Sequence, residues 1–328
     1  MLWVVDVSGY KIEPGADLSR ANLESADLSS VNLSGANLSG ANLRKANLTR
    51  ANLTEATITK ANLYFAKLNW ITLIGANLKK TNLYCANLTG ANLTKAKLSK
   101  ANFRNAKLSK AHLNDANLAD ADLTDANLTG ANLTGATLTD ANLTSTTLTS
   151  ANLTSAHLVR TNFTNANLTS ANLTSADLTD VNLTSATLTK ANFRNAKLTK
   201  ADLNDADLND ANLAGADLTS ADLTRANLTS ADLTRATLRD ANLTDANLSG
   251  TLGAPFLGAR NIGRSHRIIV RKAFSHYRED GQPKKSYETR YLADAAIDRL
   301  PVTEDLDESD LNSYQCGEHF HIGHSREQ

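Results

Sequence analysis

The sequence predicts an all-β repeat fold, and three observations support that prediction. Residues 16–250 repeat a five-residue phrase, Ala-Asn/Asp-Leu-Ser/Thr-x, through 47 consecutive units without an insertion or deletion. Five residues match neither the 3.6-residue period of a helix nor the two-residue period of a simple strand. Asn, Asp, Ser and Thr dominate the phrase and disfavour a helix, because they compete for backbone hydrogen bonds. No proline occurs between Pro14 and Pro255, as expected if most backbone N–H groups belong to ladders.

Within each unit, the pattern predicts one short extended segment followed by a bend. The central position, i, is leucine in all units except those centred on Ile58, Phe103, Phe163 and Phe193. The position two residues earlier, i−2, is mostly alanine, and both positions lie on the same side of an extended chain. All eight glycines of the repeat stand at i+2. The bend is therefore predicted at i+1 and i+2, where a turn asks for positive φ.

The phrase resembles the A(D/N)LXX pattern of the pentapeptide-repeat family over residues 16–250. The family implies a right-handed quadrilateral β-helix with four pentapeptides per coil. Positions i and i−2 then point inward, and the other three positions point outward. The 47 units would form about twelve coils, so residues 20 apart share a face. Phe103 and Phe163 should lie on one face, and Phe193 on another.

The end of the period divides the chain into three predicted parts. Residues 1–15 are expected to cap the first coil with a short strand that begins at Trp3, because an open β-helix end exposes apolar core and unpaired backbone. Residues 16–250 form the β-helix. Residues 251–328 form a closing cap and a small α+β region, with a predicted strand at 267–274 and a predicted helix at 286–300.

Composition limits the classes of protein that this chain can represent. The formal net charge is zero, so no global attraction to nucleic acid or to an anionic membrane follows. No apolar run approaches the ~20 residues of a membrane span, and no membrane partner is expected. The many Asn-Leu-Ser/Thr sequons favour a cytoplasmic location over a secreted, glycosylated one. Cys85 and Cys316 lie far apart and suggest no disulfide framework.

Outward charges are predicted to form bands along the repeat. Residues 44–110, the basic band, hold 13 basic side chains and a single glutamate, whereas residues 202–222 hold six aspartates and no base. Lys60, Lys80 and Lys100 fall in successive coils, where like charges repel unless an anion offsets them. One hypothesis is that the basic band binds an anionic partner. The alternative is that outward residues vary freely within the limits of solubility.

Large apolar residues are predicted to point outward within the basic band. Tyr64 and Tyr84 fall in one column of adjacent coils, Phe65 follows Tyr64, and Trp70 lies nearby on another face. A tyrosine ladder can stabilise adjacent rungs, while clustered exposed apolar groups also mark binding sites. These four aromatic residues and the three lysines at 60, 80 and 100 form the predicted interaction surface.

The repeat offers little for catalysis. His112 and His157 are predicted at the surface, and the aspartates lie outside a filled core with no cleft. We therefore expect a non-enzymatic rigid scaffold or protein-interaction rod, with a protein partner, no small-molecule substrate and no cofactor in the rod. Nucleic-acid binding through residues 44–110 is an alternative.

A further alternative follows from the resemblance. Some members of the resembled family protect DNA gyrase and are thought to act as acidic mimics of duplex DNA. Residues 16–250 contain 20 acidic and 22 basic residues and carry no loop insertions. The chain therefore departs from that group in two respects.

The last residues contain a possible zinc site. Cys316, His319, His321 and His324 supply four potential ligands, and Cys-x2-His is a common zinc spacing. The stretch weakly resembles zinc-ribbon-like tails of bacterial and phage proteins, in which Y-x-C-x-x-C precedes W-H-x-G-H, although His319 would replace the second cysteine. Such a site would be structural, since four protein ligands leave no open position. The alternative is a histidine-rich terminus that binds no metal.

Metal analysis tests this site directly. Protein purified without a His-tag should contain about one equivalent of zinc, because four ligands complete the coordination of the metal. Cys316→Ser and His324→Ala should each lower that content. Zinc well below one equivalent in the parent protein, or unchanged zinc in both variants, would contradict the prediction.

Overall fold

The structure, a computed structural model, describes residues 5–7, 9–253, 259, 312–316 and 319–323. The predicted strand at 267–274 and the predicted helix at 286–300 lie outside the described residues. Within them, a hairpin precedes the repeat, the repeat forms one continuous coil, and a second hairpin lies near the C terminus. The division into three domains stays a prediction.

The repeat coils so that residues 20 apart pair with each other. Parallel bridges run from the pair Asp17–Asn37 to the pair Asp232–Leu252. Because a turn follows every five residues, each 20-residue coil has four sides. We number these sides faces 1, 2, 3 and 4, which begin with the units centred on Leu18, Leu23, Leu28 and Leu33.

Every turn places its i+2 residue in the left-handed region of φ. The eight glycines at i+2 have φ of 64–71°, and 39 other residues at i+2 have φ of 54–60°. Nearly every turn is closed by a hydrogen bond such as that from the N–H of Ala21 to the carbonyl of Leu18, at 3.1 Å. Positive φ at the third residue alone is the pattern of a type II turn. The predicted bend is thus confirmed, and non-glycine residues accept about 1 kcal/mol or more of strain at most of these corners.

The backbone N–H groups of one unit show why Asn or Asp stands at i−1. In the unit centred on Leu38, the N–H of Ala36 closes the turn and that of Asn37 donates to the preceding coil. The N–H groups of Leu38 and Gly40 donate to the following coil. The remaining N–H, that of Ser39, donates to Oδ1 of Asn37 at 3.1 Å. The i−1 side chain therefore satisfies the one donor that the ladder leaves over.

The inward positions form the predicted core. The described leucines and phenylalanines at position i are at most 2% exposed. Bridges connect the units of Phe103 and Phe163 along face 2, while Phe193 lies on face 4, as predicted. Three buried threonines replace alanine at i−2, and each hydroxyl donates to a main-chain carbonyl at 2.7–2.8 Å, which avoids an unsatisfied buried group: Thr81, Thr146 and Thr161.

A short antiparallel hairpin precedes the first coil. It consists of β1 (Val5–Val7) and β2 (Tyr10–Ile12). Ile12 is 2% exposed and belongs to the same core as the leucines of the coil. The hydroxyl of Tyr10 accepts a hydrogen bond from the N–H of Asn22 at 3.3 Å. The predicted strand is therefore present over Val5–Val7, and Trp3 lies outside the described residues.

A second antiparallel hairpin lies near the C terminus. It consists of β3 (Asn312–Cys316) and β4 (His319–Gly323), and its register pairs Cys316 with His319 and Tyr314 with His321. No strand was predicted at these positions within the small α+β region, where the residues were considered as metal ligands. The pairing brings the backbones of two predicted ligands opposite each other.

Substitution of Asp222 tests the role of the i−1 side chain in the turn. Its carboxylate accepts hydrogen bonds from the N–H of Thr224 at 3.0 Å and from the Thr224 hydroxyl at 2.6 Å. Replacement by alanine should lower the free energy of unfolding by about 1–2 kcal/mol, because the N–H loses its partner. Replacement by asparagine keeps an acceptor and should cost less. Urea denaturation followed by circular dichroism measures both, and equal losses would contradict this role.

The same carboxylate should make stability sensitive to acid. Burial raises the pKa of Asp222, but hydrogen bonds led by those from Thr224 outweigh burial and hold the pKa below its ordinary value of 3.8. A carboxyl group with a lowered folded pKa stabilises the fold above about pH 4 and loses that contribution as the pH falls through the folded pKa. Asp222→Asn should therefore flatten the loss of stability below about pH 4. An unchanged slope would contradict the expectation.

Candidate functional site

The structure distributes the predicted interaction surface over three adjacent faces. The lysines stand at the i+2 corner of face 1, the tyrosines and Phe65 on face 2, and the tryptophan at the i+2 corner of face 3. The seven residues occupy neighbouring rungs: Lys60, Lys80, Lys100, Tyr64, Phe65, Tyr84 and Trp70. They therefore wrap around the rod and do not form one flat patch.

The three lysines form a ladder of like charge. Lys60, Lys80 and Lys100 are exposed and lie in successive rungs, which are spaced about 4.8 Å apart in a β-ladder. Within the described residues, none of the three forms an ion pair. The same column does allow pairing, because Arg160 contacts Asp140 through two hydrogen bonds of 2.7 Å. The ladder is therefore a concentration of uncompensated positive charge.

Two further lysines of face 1 belong to this charged surface, although only the basic band and not the predicted interaction surface included them. Lys79 stands at i+1 and Lys97 at i−1, and both are exposed in the same rungs as Lys80 and Lys100. The predicted lysine ladder was restricted to the i+2 column. Spacing of 20 applied to i−1 and i+1 as well would have found both.

Most of the basic band lacks carboxylate partners. Arg44 pairs with Glu24 and Arg104 pairs with Asp122, each at 3.7 Å. The other eleven of its 13 basic side chains form no ion pair with any residue that the structure describes. An anionic partner would therefore meet charges that are still available.

The tyrosines pack on each other along face 2. The rings of Tyr64 and Tyr84 are stacked, with centroids 5.5 Å apart and planes inclined by 7°. Phe65 meets Tyr64 edge-on at 4.6 Å, and the guanidinium of Arg44 lies over the Tyr64 ring at 5.1 Å. Both tyrosines are half-buried. Their predicted stacking between rungs is present, so these two rings stabilise the rod whether or not they also contact a partner.

Phe65 and Trp70 are the aromatic side chains most available to a partner on this surface. They are 48% and 55% exposed. The indole of Trp70 lies over Gly90, one rung further along face 3. A Cβ at Gly90 would approach the indole carbons to 2.3 Å, far inside contact distance. Glycine at position 90 therefore leaves free the space that the Trp70 ring occupies.

Ion pairs at the surface lower the pKa of two aspartates of the rod. A hydrogen bond from Arg160 lowers the pKa of Asp140, and one from Arg225 lowers the pKa of Asp205. His112 and His157 are exposed at i−1.

Among the described residues, no three His, Cys, Asp or Glu side chains are grouped to hold a metal ion. No helix in this part of the chain is long and apolar enough to cross a bilayer.

The predicted zinc ligands are only partly described. Cys316 and His319 are register partners in the C-terminal hairpin, and His321 pairs with Tyr314. His324 lies outside the described residues. The zinc site stays a prediction.

Substitution of Gly90 should displace Trp70. Gly90→Ala introduces strain at φ 67° and a clash with the indole, so it should lower the free energy of unfolding by about 2–4 kcal/mol. It should also change the fluorescence of Trp70, measured in a Trp3→Phe background. Gly75→Ala is the matched control, because φ is 66° there and the nearest neighbouring atom would lie at 3.7 Å. Equal effects of the two substitutions would contradict the packing of Trp70 on Gly90.

A family model and several solved structures resemble this chain. A family model described as pentapeptide repeats matches in eight copies that cover residues 15–109 and 111–250. The solved structure of HetL, a pentapeptide repeat protein involved in heterocyst differentiation regulation from the cyanobacterium Nostoc sp. strain PCC 7120, is 32% identical. That match covers 71% of this chain and 91% of HetL, with a TM-score of 0.36.

Full-length QnrB1, a plasmid-mediated fluoroquinolone resistance protein, is 19% identical. The match covers 67% of this chain and 99% of QnrB1, with a TM-score of 0.31. No curated protein matches the chain. The family implies a right-handed quadrilateral β-helix, and the four-sided course of residues 16–252 agrees with it. The chain belongs to the pentapeptide repeat family.

Proposed function

We propose that this protein is a rigid, non-enzymatic interaction rod of about twelve coils that acts in the cytoplasm. It binds an acidic protein partner through the part of the predicted interaction surface that lies on faces 1 and 2, which excludes Trp70. The observation that carries the proposal is the set of six basic side chains on these two faces that form no ion pair with a described residue, in rungs neighbouring the exposed Phe65: Lys45, Lys60, Lys79, Lys80, Lys97 and Lys100. The predicted zinc site, if occupied, would stabilise the C-terminal region and take no part in binding.

The chemistry of this surface suits a protein partner with acidic side chains. Exposed aromatic residues supply contact area at interfaces, and Phe65 is 48% exposed beside the tyrosine stack. Lys60, Lys80 and Lys100 surround that apolar area with charge, which raises association rates and selects partners of opposite sign. The hydrogen-bonded rungs fix the spacing of both features before the partner arrives, so little ordering entropy is lost on binding.

Duplex nucleic acid is a second candidate partner, favoured by the lysine ladder alone. Five lysines of face 1 lie in neighbouring rungs, and such a row can neutralise several phosphates: Lys60, Lys79, Lys80, Lys97 and Lys100. Binding to duplex would weaken steeply with salt. It would not require the aromatic residues of face 2, which separates this candidate from the protein partner.

Charge reversal within and outside the basic band tests the proposal. Lys80→Glu/Lys100→Glu changes two exposed i+2 lysines in the band. The matched control is Lys190→Glu/Lys200→Glu, which makes the same change at exposed i+2 corners outside it. Partners of the parent protein are identified by pull-down and mass spectrometry, and their affinities for all three proteins are then measured. We expect the first variant to bind its partner about tenfold or more weakly and the control to bind normally.

Three outcomes would contradict the protein-partner proposal. Equal loss in both double variants would indicate a general effect of net charge. Binding to duplex DNA that depends on Lys60, Lys80 and Lys100 but not on Phe65 would favour the nucleic-acid candidate. Inhibition or protection of DNA gyrase by the purified rod in a supercoiling assay would instead favour the DNA-mimic alternative.

A further inference from the structure

Face 3 carries a shallow open recess of about 550 Å³ beside Trp70. Three successive rungs contribute to it, and its lining combines two cations and one indole with hydroxyl and amide groups: Arg50, Lys67, Trp70, Ser30, Thr49 and Asn69. The recess lies on a different face from the lysine ladder and the tyrosine stack. The proposed protein partner therefore leaves it unused.

The indole beside the recess forms a fixed and open platform. Trp70 is 55% exposed, although its ring packs over Gly90. The ring occupies the volume that any Cβ at position 90 would fill. Gly90 is itself buried beneath it. A planar aromatic surface is thus held against the rod with more than half of the side chain available for stacking.

Cations flank this platform along the axis of the rod. Arg50 lies one rung before Trp70 in the same column, and Lys110 lies two rungs after it. Lys67 and Lys107 stand at i−1 on the same face, and none of these four cations forms an ion pair with a described residue. From Arg50 to Lys110 the charges extend over three rung spacings, or about 14 Å.

Carboxylates are scarce on this part of face 3. Between residues 26 and 110, the units of this face carry one acidic side chain, Asp27. Asp27 already accepts hydrogen bonds from the N–H of Ser29 and the amide of Asn47, both at 3.0 Å. Lys67 contributes a weak electrostatic attraction to this carboxylate but forms no ion pair with it, and Arg50, Lys107 and Lys110 have no other carboxylate on this part of the face.

We propose that this part of face 3 binds single-stranded nucleic acid, with one base stacked on Trp70 and the backbone phosphates held by Arg50, Lys67, Lys107 and Lys110. A row of cations interrupted by an aromatic platform matches a polymer that carries a phosphate and a planar ring in each unit. Duplex DNA has its base faces stacked within the helix and cannot use the platform. The site is independent of the proposed protein partner, which binds faces 1 and 2.

Binding of a labelled oligothymidylate of about ten nucleotides to the full-length chain tests this site. Trp70→Ala should weaken binding about 5- to 140-fold, the range expected for loss of one base–aromatic stack. Trp70→Phe should retain most of the affinity, because it keeps a ring. Arg50→Glu/Lys67→Glu should weaken binding and reduce its dependence on salt. Lys190→Glu/Lys200→Glu makes the same change in charge elsewhere and should have little effect.

Fluorescence gives a second reading that a merely structural role of Trp70 would not produce. In a Trp3→Phe background, the oligonucleotide should quench Trp70, and circular dichroism of each variant checks that the coil is intact. The proposal is overturned if Trp70→Ala binds like the parent protein, or if both double variants lose affinity equally. It is also overturned if poly-glutamate quenches Trp70 as strongly as the oligonucleotide, because the site would then accept acidic peptides. If the pull-down identifies no acidic protein partner but the oligonucleotide still binds, only the proposed function is contradicted.

Discussion

The main-chain hydrogen bonds between residues 20 apart hold every other feature of the rod in place. In the unit centred on Leu38, three of the five N–H groups donate to neighbouring coils, a fourth closes the turn, and the fifth is satisfied by the Asn37 side chain. The core alone is thin, since it contains two apolar side chains per unit. Each coil is therefore stable mainly because it stacks on another. The spacing of the ladder also sets the distance between outward side chains in successive coils.

The constant backbone conformation of the i+2 residue explains how this fold accepts side chains of different chemistry at its corners. Its φ stays between 54° and 71° in every unit, whether the residue is glycine, lysine, aspartate or tryptophan. The strain of this conformation is distributed over the whole rod and offset by the ladder, so a change of side chain leaves the backbone course unchanged. Gly90 is an exception, because its neighbour Trp70 occupies the space of a side chain.

The inward half of the structure could be predicted from the sequence, while much of the outward half could not. Leucine and alanine columns, the turns and the shared face of Phe103 and Phe163 follow from a fixed period and one buried pattern. The position of the Trp70 ring and the pairing of Arg160 with Asp140 depend on the rotamers of long side chains and on which residue stands one rung away. The period contains no such information. The hairpin of β3 and β4 lies beyond the repeat, where no period guides the prediction.

Because a coil contains four units, the number of units between two residues also determines whether they face the same side of the rod. Loss of one pentapeptide between Lys80 and Lys100 would preserve the sequence pattern, yet it would turn everything downstream by a quarter revolution and separate these two lysines. Loss of four units would shorten the rod by one coil and keep every angular relationship. The near-identical segments 101–110 and 191–200, which are 18 units apart, consequently face opposite sides. In this fold, duplication of single units changes orientation, and duplication of whole coils changes length.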